Sequence, residues 1–162
     1  MSIKEGQSLP DVTLLRMGAE GPESFALGPH LAGHRVVIFA VPGAYTPTCH
    51  SAHVPSFVRT KKDFESKGIN EIYCVSVNDP FVMGAWGEAT GATEAGIKML
   101  SDAEGEFTKA IGMDFTAPPV GLITRSKRYA MLVEDGVVSI LHEEENPGAC
   151  EVSAGEAILA AL

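Results

Sequence analysis

The stretch Val36-Val37-Ile38-Phe39-Ala40-Val41-Pro42-Gly43-Ala44-Tyr45-Thr46-Pro47-Thr48-Cys49 passes from a strand into a helix, with a cysteine at the junction. The unbroken apolar run from Val36 to Val41, closed by Pro42-Gly43, reads as a buried strand. Beyond Cys49, Val54, Phe57 and Val58 share one face of a helical pattern. Thr46 is placed to cap that helix, and Pro47 fits its first position, where a missing N–H costs nothing. Cys49 then occupies the third helical position, near unpaired backbone N–H groups and the positive end of the helix dipole. Both favour thiolate over thiol, and thiols so placed fall from about 8.5 to roughly 3.5–7.5 in pKa. A buried, inert cysteine is the other reading of the same position.

The composition bounds what such a cysteine serves. With 162 residues, 45% hydrophobic and 20% charged, the chain suits one globular domain, residues 1–162, with a sizeable core. Its net charge of -9 argues against nonspecific binding to nucleic acid or an anionic membrane, while leaving room for a local positive pocket. No apolar stretch approaches the length of a membrane-spanning helix. The opening Met1–Gly6 has neither an apolar signal core nor Arg-rich transit character, so a cytoplasmic location is expected. Cys49, Cys74 and Cys150 form an odd set without close spacing, unlike a secreted disulfide scaffold and suited to a reducing compartment. His30 and His34 lack partners at metal-ligand spacing and read as surface histidines. No metal, flavin or nucleotide signature is present, and no bound cofactor is expected.

Taken in order, Leu9–Leu15 reads as a first strand, and the Gly- and Pro-rich segment 17–29 as loop and turn. The helix after Cys49 runs to Lys67 and stops at Gly68, and Pro55 is expected to kink it. Two readings of His50 and His53 stand side by side: a general base for Cys49, or a ring bonded to backbone or water. In the strand Glu71–Val77, Cys74 alternates onto the same face as Ile72 and is expected to be buried. Asn78 or Asp79 caps a helix beginning at Pro80, and its Trp86 reads as core. Ile97–Leu100 is a short strand, Gly105–Ile111 a short helix, and Pro118-Pro119 with Gly121 a break. Strands Arg128–Val133 and Val137–Leu141 flank the hairpin turn Asp135-Gly136. Glu143-Glu144-Glu145 reads as a solvated acidic run, and Ser153 with Glu156 as a capping box for a last helix, Ala154–Leu162. This order implies an α/β domain, a mixed sheet with helices on both faces.

Pro42-x-x-x-Thr46-x-x-Cys49 resembles the active-site motif of the peroxiredoxins. The fuller run Val41–Cys49, with His53 and Pro55 beyond it, resembles the peroxiredoxin 5 (type II) branch. Ser76-Val77-Asn78-Asp79-Pro80-Phe81-Val82-Met83, Arg128-Tyr129-Ala130-Met131 and Glu134-Asp135-Gly136 fit the same branch, so the resemblance covers nearly the whole chain. It implies a thioredoxin-like fold and a thiol-dependent peroxidase acting on hydrogen peroxide and alkyl hydroperoxides. In that reading Cys49 is the peroxidatic thiolate and passes through a sulfenic acid. Thr46 hydrogen-bonds the sulfur and the peroxide, Pro42 shields the sulfur from bulk water, and Arg128 supplies the cation, with Arg125 as the fallback. Without the resemblance, Arg125, Lys127 and Arg128 read as a solvated basic turn. Thr46 stands where a thioredoxin carries the first cysteine of Cys-x-x-Cys, so dithiol exchange at this motif is excluded. Cys74 and Cys150 are both candidate resolving thiols, and an external thiol (glutathione with glutaredoxin, or thioredoxin) is the preferred reductant. A homodimer is implied by the resemblance alone, and with it an interface role for Trp86 as the alternative to core. Two other function classes remain: acyl transfer with a histidine base, and a redox-sensing binding protein without rapid turnover.

Overall fold

The computed structural model describes every residue from Met1 to Leu162. Its elements are β1 (Thr13–Gly18), β2 (Gly21–Ala26), α1 (Leu27–Leu31) and β3 (Arg35–Ala40). A π-helical turn (Cys49–His53) leads into α2 (Val54–Ser66), followed by β4 (Glu71–Ser76), α3 (Pro80–Thr90) and β5 (Lys98–Ser101). Then come α4 (Glu106–Ala110), β6 (Asp114–Ala117), β7 (Leu122–Ser126), β8 (Tyr129–Glu134), β9 (Val137–Glu143) and α5 (Gly155–Ala161).

Seven strands form one mixed sheet in the order β2-β1-β5-β4-β3-β8-β9, and β6 pairs separately with β7. The central strands β3, β4 and β5 run parallel and are joined through α2 and α3. Parallel strands must be covered on both faces, and the alternation of side chains meets that need. Val36, Ile38 and Ala40 join Tyr73 and Val75 against Leu27 of α1 and Phe107 of α4. Val37 and Phe39 join Ile72 and Cys74 against Phe57 and Phe64 of α2, Trp86 of α3 and Ile158 of α5. Phe39 stacks on Phe57 with ring centroids 4.1 Å apart. The expected α/β arrangement with helices on both faces is what forms.

The local stop and start signals act as read. Gly68 (φ +82°) ends α2, its N–H bonding Glu65 O at 3.0 Å while Ile69 N–H bonds Phe64 O at 3.1 Å. The Asp79 carboxylate accepts from Val82 N at 2.8 Å and caps α3 ahead of Pro80. Asp135 and Gly136, both at positive φ, turn β8 into β9.

Two expectations fail, each where a nonlocal partner outweighs a local signal. The first strand begins only at Thr13, and the segment read as loop contains β2, paired with β1 from Thr13↔Ala26 to Gly18↔Gly21. Pro22 is tolerated there because β2 is an edge strand. The break at Pro118-Pro119 and Gly121 does form, and it is the turn of a hairpin, β6–β7, that the sequence reading did not include. The Ser153–Glu156 capping box does not form: Glu156 bonds Arg59 at 2.6 Å, and Ser153 turns to Glu144. The Gly155 amide donates to Ser56 Oγ of α2 at 2.9 Å, a cap borrowed across the helix pair. Only glycine permits this approach, since a Cβ at 155 would lie 2.6 Å from Ser56 O.

Candidate active site

The antiparallel register of β3 with β8 pairs Ala40 with Tyr129. It therefore sets Arg128 beside Val41, where the chain leaves the sheet for Cys49. The turn between them is tight: Tyr45 has φ +65°, and the Ala44 amide is held by Asn78 Oδ1 at 3.0 Å. A non-glycine residue in that region costs about 1–3 kcal/mol, a strain the surrounding bonds must offset. The helix begins where expected, with Thr46 O accepting from His50 N at 2.9 Å.

Two details of that helix start depart from expectation. First, the Thr46 hydroxyl does not cap it; Oγ1 lies 2.8 Å from Gly43 O and 2.7 Å from Cys49 Sγ. One hydroxyl has one hydrogen, so it donates to a thiolate at 49, or receives the S–H of a thiol while donating to Gly43 O. Second, Cys49–His53 is a π-turn, closed by Val54 N–H on Cys49 O, rather than a kinked α-helix. Pro55 has no N–H to give Ser51 and its ring crowds that carbonyl, and the wider turn relieves both. No protein N–H of the first turn reaches the sulfur; the Thr48 and Cys49 amides find no backbone acceptor.

The second donor to the sulfur is Arg128, only 1% exposed. Its Nη2 donates to Cys49 Sγ at 3.0 Å, Nη1 to His53 Nδ1 at 2.9 Å, and Nε to Pro147 O at 2.9 Å. None of the ion pairs in the molecule includes it. Its charge is therefore left to the sulfur, as a charge-assisted bond to a thiolate requires. The cluster read as a solvated basic turn diverges in three directions. Arg125 donates to Pro42 O at 3.3 Å without touching the sulfur, and Lys127 pairs with Glu143 at 3.6 Å.

Neither histidine is a base for Cys49. His53 is fully buried, with Nε2–H donating to Ser153 O at 2.9 Å and Nδ1 accepting from Arg128. Burial, reinforced by the Arg128 charge, pushes its pKa from 6.5 down to about 3. It is a neutral ring that aligns the guanidinium. His50 Nδ1 accepts from Trp86 Nε1 at 3.0 Å, and Trp86 is fully buried, which settles it as core.

His53 carries a measurable consequence. In the unfolded chain it takes a proton below pH 6.5, whereas in the fold it stays neutral to about pH 3. Its contribution to stability is complete above pH 6.5 and lost as pH falls through that window, by about 1.4 kcal/mol per pH unit at most. Urea unfolding from pH 7.5 to 4 is expected to show a slope for the wild type that exceeds that of His53→Gln by close to one proton. Parallel slopes would refute this.

The sulfur's surroundings open to solvent through a cavity of about 440 Å³, lined by Pro42, Thr46, Arg128, Phe115, Val120 and Leu122 among others. Its wall is mostly apolar. A larger cleft of about 780 Å³, between Phe81 and Lys98, shares no residue with it and is lined by no cysteine. All three cysteines are free. Cys74 is fully buried within the β3–β4 ladder, and burial pushes its thiol well up. Cys150 is half-buried between β9 and α5; burial raises it while the Arg128 charge opposes the rise.

This constellation has relatives. The redoxin family pattern matches residues 4–159. The chain is 45% identical to peroxiredoxin-2E-2, chloroplastic, of Oryza sativa subsp. japonica, over 99% of its own length and 73% of that protein. The chain belongs to the peroxiredoxins. Its structure is similar to reduced Prx3 of Vibrio vulnificus in complex with hydrogen peroxide (TM-score 0.91, 46% identity, 98% of each chain). It is also similar to peroxiredoxin 5 of Alvinella pompejana (TM-score 0.85, 33% identity, 98% of this chain and 97% of that one). The thioredoxin-like fold and the type II resemblance agree with both. Within this peroxiredoxin, two buried groups, His53 and Glu144, make contacts around Arg128 that the sequence alone did not indicate. His53 carries a signal, its spacing from Cys49 on one helix. Glu144 carries none, because an acidic run looks solvated until the chain folds over it.

Proposed function

We propose that this peroxiredoxin, a thiol-dependent peroxidase, uses Cys49 as its peroxidatic residue, with Thr46, Arg128 and Pro42 serving it. The reading rests on one observation: Thr46 Oγ1 and Arg128 Nη2, from residues that both line the apolar cavity, converge on the buried Cys49 Sγ behind it at 2.7 and 3.0 Å. The thiolate attacks one oxygen of ROOH. An S–O bond forms, the O–O bond breaks, sulfur loses two electrons, and RO⁻ leaves to take up a proton as ROH. Arg128 and the free Thr48 and Cys49 amides stabilise the charge growing on that departing oxygen. Thr46 holds the sulfur and the peroxide in line, and Pro42 keeps water off the sulfur. Thr46→Val keeps the shape and removes the hydrogen bond, so the single-turnover rate with hydrogen peroxide is expected to fall about 10–100-fold. A wild-type rate would remove Thr46 from the mechanism. No side-chain base touches the sulfur, which disfavours acyl transfer.

The apolar wall of Phe115, Val120 and Leu122 suits alkyl hydroperoxides as well as hydrogen peroxide. The reductant is an external thiol, glutathione with glutaredoxin or thioredoxin. Cys74 lies inside the sheet and Cys150 is half-buried, so pairing with either requires the first turn at Cys49 to open. Intact mass after one equivalent of peroxide is expected to show the gain of one oxygen in the wild type, Cys74→Ser and Cys150→Ser alike. Loss of two hydrogens in the wild type, abolished in one mutant, would name an internal partner instead. A homodimer is supported by the exposed Tyr45, Val120 and Ile123 on the active-site turn and the β6–β7 hairpin. A reducing, cytoplasmic setting is supported by three unpaired thiols.

A further inference from the structure

The segment between β9 and α5 lies over the site as a strap, and its own carbonyls hold the catalytic groups. Pro147 O receives Arg128 Nε at 2.9 Å, Gly148 O receives the Thr48 hydroxyl at 2.8 Å, and Ser153 O receives His53 Nε2–H at 2.9 Å. So two of the three bonds that orient the Arg128 guanidinium trace to this strap, one directly and one through His53. The strap contains no regular secondary structure that would hold it in shape. Asn146 Oδ1 and His142 Nδ1 each hold one point of it, and one carboxylate ties its two ends together. Glu144, 6% exposed, accepts with a single oxygen, Oε2, from Glu151 N at 2.8 Å, Ser153 N at 2.8 Å and Ser153 Oγ at 2.6 Å. Its backbone amide bonds Arg128 O at 3.0 Å, so the closure is tied to the arginine's own main chain.

From this geometry we infer that Glu144 is a positioning residue for the peroxidase reaction: its carboxylate closes the strap whose carbonyls aim Arg128 at the sulfur. The inference rests on the Cys49–Arg128 reading above and extends it outward. The arrangement has an electrostatic logic. A carboxylate paired directly with Arg128 would compete with the thiolate for the guanidinium. Glu144 forms no ion pair, and its oxygen is occupied by strap donors. Arg128 meets only neutral acceptors, a carbonyl and an imidazole, besides the sulfur. The guanidinium is thus oriented rigidly while its charge stays available. Small displacements of an oriented group cost about 10²-fold when the transition state needs it in place.

The test separates aiming from mere folding. Single-turnover rate constants for Cys49 are measured with hydrogen peroxide and with iodoacetamide, on the full chain, for wild type, Glu144→Gln and Ser153→Ala. Iodoacetamide needs the thiolate but no donor over a departing peroxide oxygen. The ratio of the two rate constants therefore cancels changes in thiolate content and reports the aim of Arg128. It is expected to fall about 10–100-fold in Glu144→Gln and by a smaller factor in Ser153→Ala, which loses one donor of three. A folded Glu144→Gln with the wild-type ratio, even with a lower Tm, overturns the inference and leaves Glu144 a structural residue. If Glu144→Gln does not fold, Ser153→Ala decides, and an unchanged ratio there overturns it too. A wild type whose ratio is no higher than that of free cysteine would instead overturn the Cys49–Arg128 reading itself.

Discussion

Replacing Cys49 by serine is expected to stop peroxide reduction, lowering the single-turnover rate by at least about 10⁴-fold. A serine hydroxyl is scarcely ionised near neutrality and is a far weaker nucleophile toward a peroxide oxygen. The Thr46 and Arg128 donors would remain, but with no anion to activate. The same change bears on stability. Arg128 is 1% exposed and meets no carboxylate, so the Cys49 sulfur is the one ionisable acid its guanidinium contacts. Leaving that guanidinium with only neutral acceptors is expected to cost about 1–3 kcal/mol in urea unfolding. Peroxide consumption followed by stopped flow, together with the unfolding curves, checks both halves. Retained single-turnover reactivity in Cys49→Ser would remove Cys49 from its role; Cys74→Ser and Cys150→Ser are expected to keep the first turnover intact.

Arg128→Met is expected to slow the reaction with hydrogen peroxide by about 10²–10³-fold, the range measured when one preorganised donor to a developing oxyanion is lost. Methionine fills the buried volume without a charge to bury, so the fold should tolerate it, although Pro147 O and His53 Nδ1 each lose a donor. Arg128→Lys separates charge from geometry. An ammonium restores the positive charge but cannot serve Pro147 O, His53 and the sulfur from one rigid plane, so it should recover only part of the rate. A wild-type rate in Arg128→Met would mean that the guanidinium is structural, and the fallback, Arg125, would then need the same substitution.

Much of the fold was legible because its signals are local. The apolar run at Val36–Val41, the alternation through Ile72 and Cys74, the Asp79-Pro80 helix start, the Gly68 stop and the Asp135-Gly136 turn all depend on neighbours within a few residues. The misread places depend on distant partners. β2 carries Gly21 and Pro22 yet becomes a strand because β1 offers it a full register. Ser153 abandons its expected cap because Glu144 reaches it first, and the acidic run proves not to be all solvated because one of its members closes the strap. Pro55 produced a π-turn rather than a kink, since its constraint fell beside the helix start, where a wider turn was free to form.

The candidate site divides along the same line. That a cysteine stands at the start of a helix leaving a buried strand was determined by residues 36–58 alone, since strand, turn and helix preferences act over a few residues. Which cation faces its sulfur was indicated in the sequence by the family resemblance alone, and physically it is decided by the tertiary structure. Arg125, Lys127 and Arg128 are indistinguishable as a charged cluster. The β3–β8 register and the strap over it send one guanidinium to the sulfur, one to Pro42 and the ammonium to Glu143. Register and loop path depend on contacts between residues 79 positions apart, and no periodicity within one segment encodes them.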